Sequence, residues 1–183
     1  GPDAISGVVN FITKEPRTEG EFQALVNGTT QKGFDLVAFY SKQYEDFGST
    51  LLVSKNTQEM FDVDGDDYAD VAEYQRLSIT PKLTFTFTDK LNATFSFGYT
   101  EETRVGGILG ATSQPLTNPL YRENIKTNRQ DASGSLRYEI SSDKSLVAKF
   151  ATARFKRDAL YGALPFNATQ LLFYSEFQYT VSF

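Results

Sequence analysis

The sequence predicts an all-β protein, an antiparallel transmembrane β-barrel meander of about eight strands. Three observations predict it. Apolar residues recur with a period of two along most of the 183 residues, the pattern of strands with two unlike faces. Connections between these runs alternate between short and long, as they do when every strand crosses a bilayer once. No run of about 18 apolar residues occurs, so a membrane-crossing helix is excluded.

The elements follow in order. Weaker alternation marks strands near 20–28, 34–43 and 49–55. The clearest run is 77–88, with Leu77, Ile79, Pro81, Leu83, Phe85 and Phe87 on one face. Ser78, Thr80, Lys82, Thr84, Thr86 and Thr88 occupy the other. The 91–100 run repeats it, Leu91, Ala93, Phe95, Phe97 and Tyr99 standing against Asn92, Thr94, Ser96, Gly98 and Thr100. Strands near 131–140 and 146–155 follow. In the last run, 171–183, Leu171, Phe173, Phe177, Tyr179, Val181 and Phe183 share a side. Each run is near the length that crosses a bilayer at a tilt. Pro81 lacks a ladder donor and marks a bulge or a membrane boundary.

A tight turn at 29–33 follows the first strand. Segments 44–47, 88–90 and 141–144 are short connections, and 56–73, 101–128 and 160–170 are long. With one crossing per strand, all long connections fall on one side. A soluble sandwich has no reason to sort loops by length. Outer-membrane barrels do, with short periplasmic turns and long extracellular loops.

Composition excludes several functions. The chain holds 16 Phe and 10 Tyr but no Trp, Cys or His. No imidazole is available as base or metal ligand, and no thiol as nucleophile or zinc ligand. No catalytic constellation is visible, so the expectation is not an enzyme. A net charge of -5 argues against nucleic acid, whose binders carry basic patches. A mean hydropathy of -0.36 fits strands that alternate lipid-facing with lumen-facing residues. Neither a starting Met nor a signal peptide is present, so an upstream segment is expected to have been removed.

Gly1, Ala4, Gly7, Val8, Val9, Asn10, Ile12, Thr13 and Lys14 stand at the spacing found where the plug of TonB-dependent outer-membrane receptors ends. The opening fourteen residues therefore resemble that family, and the segments 25–33 and 52–60 resemble its first barrel hairpins in the Bacteroidetes branch. The resemblance implies residues 1–16 as the end of a plug with its linker, and 17–183 as the first part of a larger plugged barrel. It implies energy-coupled import of a scarce nutrient of the siderophore, cobalamin or glycan class, with outer-membrane lipid and the TonB complex as partners. It supplies no binding residue within this chain.

A second signal is the acidic stretch 62–73. Asp62, Asp64, Asp66, Asp70 and Glu73 fall at positions 1, 3, 5, 9 and 12 of a twelve-residue calcium loop, with the Tyr68 carbonyl at position 7. Position 6 is Asp67, where the sharp turn favours Gly; Gly65 stands nearby. Calcium is the expected cofactor of this loop. A plain solvated acidic loop, its like charges repelling one another, is the equal alternative.

Other features read more simply. Gly106, Gly107 and Gly110 belong to a flexible loop, since no helix start or Lys-Ser/Thr follows. Arg76, Lys82, Arg137, Glu139, Lys149 and Arg154 are expected on the lumen side, where charge costs least. Phe173, Phe177, Tyr179 and Phe183 form an aromatic stripe facing lipid. The rival to a transporter segment is a small complete eight-stranded outer-membrane barrel with a structural or adhesive role; eight strands can close. A soluble calcium-binding β-domain is a third class. Closure of the 20–28 strand onto 171–183 marks the small barrel. Without it both edges stay open, and remaining strands or partner chains must cover them.

Overall fold

In the computed structural model, residues 14–109 and 121–182 are described. They form eight strands: β1 (Glu21–Gly28), β2 (Gly33–Gln43), β3 (Phe47–Gln58), β4 (Glu73–Thr88), β5 (Leu91–Gly107), β6 (Arg122–Ser141), β7 (Lys144–Tyr161) and β8 (Leu164–Val181). All belong to one antiparallel sheet in sequence order. There is no helix among the described residues. The chain is an all-β meander of the transmembrane barrel type.

Register shows why the period of two matters. Residues directly opposite across a ladder share a face. Ala24, Ala38, Val53, Ile79, Tyr99, Gln130, Arg154 and Leu171 form one such row across all eight strands. Phe85 and Phe95 lie on this face, paired with Ala93 and Leu83. The opposite face carries Asp35, Thr50, Arg76, Ser96, Asp131, Lys149 and Glu176, and is polar along most of its length.

The apolar face holds a belt of rings near the short turns. Phe47 meets Phe85 at 5.2 Å between centroids, Phe85 meets Phe87 at 5.9 Å and Phe95 at 6.2 Å, and Phe95 meets Phe150 at 6.5 Å. Phe47, Phe85 and Phe87, at the short-turn end, suit the boundary between lipid tails and headgroups, and Phe95 and Phe150 lie deeper in the apolar band. Gly134 stands opposite both Phe95 and Phe150. A Cβ there would come within 2.5 Å of Phe150 Cε1 and 2.9 Å of Phe95 Cδ1, so the two rings meet over a residue without a side chain.

Long connections lie on one side only, at residues 59–72 and 108–121. The same side also carries two tight turns. Lys32, at φ +62°, turns β1 into β2, with Lys32 N–H donating to Thr29 O at 3.1 Å. Gly162, at φ +61°, turns β7 into β8. The expected long loop at 160–170 is thus corrected: β8 already starts at Leu164 and pairs with Tyr161. Apolar alternation breaks there because Leu164, Phe166 and Ala168 fall on the face opposite Leu171 and Phe173, while the ladder continues. Similarly, Gly106 and Gly107 end β5 rather than floating in a loop, and Gly110 lies outside the described residues.

Pro81 is neither at a bulge nor at a boundary. It sits mid-strand opposite Leu51. The β4–β5 ladder is interrupted at Thr80 and Pro81, but Ile79↔Tyr99 and Lys82↔Ser96 keep one register. The missing donor therefore removes a ladder contact without shifting the strand. β1 and β8 are the two edges of the sheet and do not pair with one another among the described residues.

Candidate functional site

The acidic loop is a small hairpin of its own. Phe61 and Val71 exchange two backbone hydrogen bonds of 3.0 Å at its base. Its tip docks against the start of the second long connection, where Tyr68 stands opposite Ile108. Ala69 N–H donates to Gly107 O at 3.0 Å and Leu109 N–H to Asp67 O at 2.8 Å. Two left-handed residues bend the tip, Gly65 at φ +80° and Asp67 at φ +66°. Asp67 thus adopts the conformation that Gly would supply at position 6, which Asp tolerates better than most residues.

Most carboxylates of the loop fold the loop itself. Asp62 Oδ1 accepts from Gly65 N–H at 2.7 Å and Asp62 Oδ2 from Asp67 N–H at 3.0 Å. Asp66 Oδ1 accepts from Tyr68 N–H, and Asp70 Oδ2 from Val63 N–H, both at 2.8 Å. The bond from Gly65, with weaker ones from its neighbours, holds the Asp62 carboxyl below the usual carboxylate range. Repulsion from Asp66 comes first in pushing Asp64 above it, followed by burial and Asp70.

Ligand oxygens of Asp62, Asp64 and Asp70 lie within 4.8 Å of one another. Asp66 and Glu73 are not in this group. Glu73 opens β4 opposite Val105, so the twelve-residue spacing is met in sequence while only positions 1, 3 and 9 converge in space. Three carboxylates fit a hard cation, but calcium takes 6–8 oxygens; the remainder would come from carbonyls or water.

The polar face carries paired charges. Arg129 and Asp131 meet at 2.9 Å, Arg137 and Glu139 at 2.5 Å, and Lys149 and Glu176 at 3.8 Å. Arg76, Lys82, Arg137, Glu139 and Lys149 stand on this side as expected. Arg154 does not: it lies on the other face between Gln130 and Leu171. There the apolar band gives way to Glu101, Asn128, Lys156 and Asp158, so the guanidinium sits at the rim rather than among the rings. Phe173, Phe177 and Tyr179 are 77%, 71% and 56% exposed on the apolar face of β8; Phe183 lies outside the described residues.

Comparison with known proteins adds little. No family model matches the chain, and no curated protein matches it. Among solved structures it is similar to a major outer membrane protein from Thermus thermophilus, at 14% identity over 84% of this chain and 83% of that one, with a TM-score of 0.30. A likeness that slight carries no argument, and the fold rests on the chain's own ladders. The resemblance to TonB-dependent receptors is overturned: neither a family model nor a curated relative supports it. Residues 1–13, which bore it, lie outside the described residues. Gly7, Val8, Val9, Ile12 and Thr13 are the residue types that any turn leading into a strand favours, so the short match was not specific.

Proposed function

We propose that this chain forms the wall of a bacterial outer-membrane β-barrel with a structural or adhesive role and no catalytic one. One observation carries the reading. A single meander presents an aromatic and aliphatic face on one side and, over β4 to β6, a charged, hydroxyl-rich face on the other, which carries Leu25, Val37, Phe39 and Leu52 over β1 to β3. Lipid suits the first and water the second. All backbone groups inside a bilayer must be paired, so the edges of β1 and β8 meet each other, further strands of the same protein, or strands of a partner chain. The Asp62, Asp64 and Asp70 carboxylates of the 59–72 connection form the chain's candidate calcium site.

The absence of Cys gives a direct test. Single cysteines at Phe97 or Phe177, on the apolar face, and at Ser96 or Ser133, on the polar face, are introduced into protein folded in liposomes. A water-soluble maleimide is expected to spare the first pair and label the second. A lipid-borne quencher is expected to affect a fluorophore only on the first pair. Equal labelling of both faces would refute the reading.

A further inference from the structure

Near the long connections, the polar face holds three arginines around one carboxylate. Arg76, Glu102 and Arg157 lie in one cross-strand row, spanning β4, β5 and β7, and Arg104 stands two residues further along β5. Arg76 Nε donates to Glu102 Oε2 at 2.6 Å. Arg104 Nε lies 3.5 Å from Glu102 Oε1, in range of an ion pair but making no hydrogen bond. Arg157 has no carboxylate partner among the described residues; its guanidinium sits 5.6 Å from the Phe155 ring. Those of Arg76 and Arg104 both stand 5.7 Å from the Tyr74 ring.

Two donors here are orphaned. The Nε atoms of Arg104 and Arg157 are both buried without a hydrogen-bond partner among the described residues. Elsewhere on this face Arg129 and Arg137 each satisfy Nε with a carboxylate two residues on. Three guanidiniums against Glu102 and Glu123, whose Oε1 accepts from the Tyr121 hydroxyl at 2.7 Å, leave an excess of one positive charge in a chain whose net charge is -5. The nearby acidic loop makes no ion pair with Arg76, Arg104 or Arg157 among the described residues. From strand spacing and rise, Arg104 and Arg157 have Cα atoms about 12 Å apart, so their terminal nitrogens reach one small group between them when the side chains swing off their rings. The guanidinium's rigid fork of N–H donors is suited to an oxyanion.

We propose that Arg76, Arg104 and Arg157 form a binding site for a water-borne solute bearing a phosphate, sulfate or carboxylate group. The site rests on the reading of this face as the watery side. It accounts for the excess of guanidinium over carboxylate on this part of the face.

The test titrates the full chain, folded in neutral detergent, with inorganic pyrophosphate by calorimetry. Saturable binding is expected. Removing one charge-assisted donor pair should weaken it about ten- to a hundred-fold, so Arg157→Gln and Arg104→Gln each lose at least about tenfold. Arg157→Lys keeps the charge and stem but not the fork, and it is expected to bind more weakly than the parent while still folding. Arg137→Gln, on the same face near the short turns, is expected to bind as the parent does. No saturable heat at millimolar pyrophosphate, or equal loss in Arg137→Gln, overturns the proposal. A cysteine at Ser96 is labelled in the same preparation. Labelling without binding overturns the anion site alone; a blocked Ser96 position overturns the wall reading with it.

Discussion

Phe95→Arg is the sharpest probe of which face meets lipid. On β5 the apolar positions run from Leu91 to Tyr99, with Phe95 at their centre. Eight residues at a rise of about 3.4 Å span about 27 Å along the strand. A tilt of about 40° reduces this to about 21 Å of height, close to the roughly 25 Å apolar band of such barrels. Phe95 therefore lies near midplane, where an arginine costs about 2–4 kcal/mol. The ring contacts with Phe85 and Phe150 would be lost as well. Ser96→Arg is the control, one residue away and on the opposite face. The assay is urea unfolding in lipid vesicles, followed by tyrosine fluorescence. Phe95→Arg should reduce the folding equilibrium constant about 30- to 900-fold, and Ser96→Arg should leave it within a few-fold. Equal losses, or a greater loss for Ser96→Arg, would defeat the assignment of faces.

Further outcomes follow from other features. Gly134→Ala should destabilise the sheet by about 1–3 kcal/mol, since its methyl group meets the Phe95 and Phe150 rings; Phe150→Leu in the same chain should recover part of that loss in the unfolding assay. If the acidic loop takes calcium, calorimetry on folded protein should show heat that chelator abolishes and Asp64→Asn reduces; no heat at millimolar calcium defeats the idea. That affinity should fall as pH is lowered, because Asp64 protonates above the usual carboxylate range and a protonated carboxyl does not ligate. Asp62, whose carboxyl is held low, stabilises the loop above its unfolded value and loses that contribution as pH falls through its folded one. Protease cleavage within 62–70 should therefore quicken in acid, and Asp62→Asn should flatten the profile. Paired cysteines at Ala24 and Phe173 test the edges: a disulfide within one chain indicates direct closure, and one between chains indicates closure by a partner.

The strands were legible where their two faces differ. Runs 77–88 and 91–100 alternate cleanly because one side meets rings and the other hydroxyls, and both appear at the expected register. β6 starts at Arg122 and β8 at Leu164, well before the alternation at 131 and 171. Early β6 is polar on both faces, and early β8 puts Leu164, Phe166 and Ala168 on the face opposite Leu171, so no single apolar period reports them; only the ladder does. The same cause misplaced Arg154, assigned to the lumen on charge alone although its parity puts it with Leu171. In the acidic loop, spacing named six ligands, but a backbone that spends Asp66 on Tyr68 and enlists Glu73 in β4 brings three together. The arginine group was less visible still. Arg76, Arg104 and Arg157 are distant in sequence and become neighbours only once the β4–β7 register is known.

The strands also grow along the meander, from 8 residues in β1 to 20 in β6 and 18 in β7 and β8. At about 3.4 Å per residue and a tilt of about 40°, β6 rises about 52 Å, well above a hydrocarbon core of about 30 Å. The upper ribbon of β6 and β7 would stand clear of the headgroups like a fin on one flank, with Lys156 and Asp158, 2.7 Å apart, on its outer surface. A body drifting along the cell surface would meet this fin first from one direction and the low shoulder of β1 from the other. On the proposed reading, the wall has a high side and a low one in the plane of the membrane.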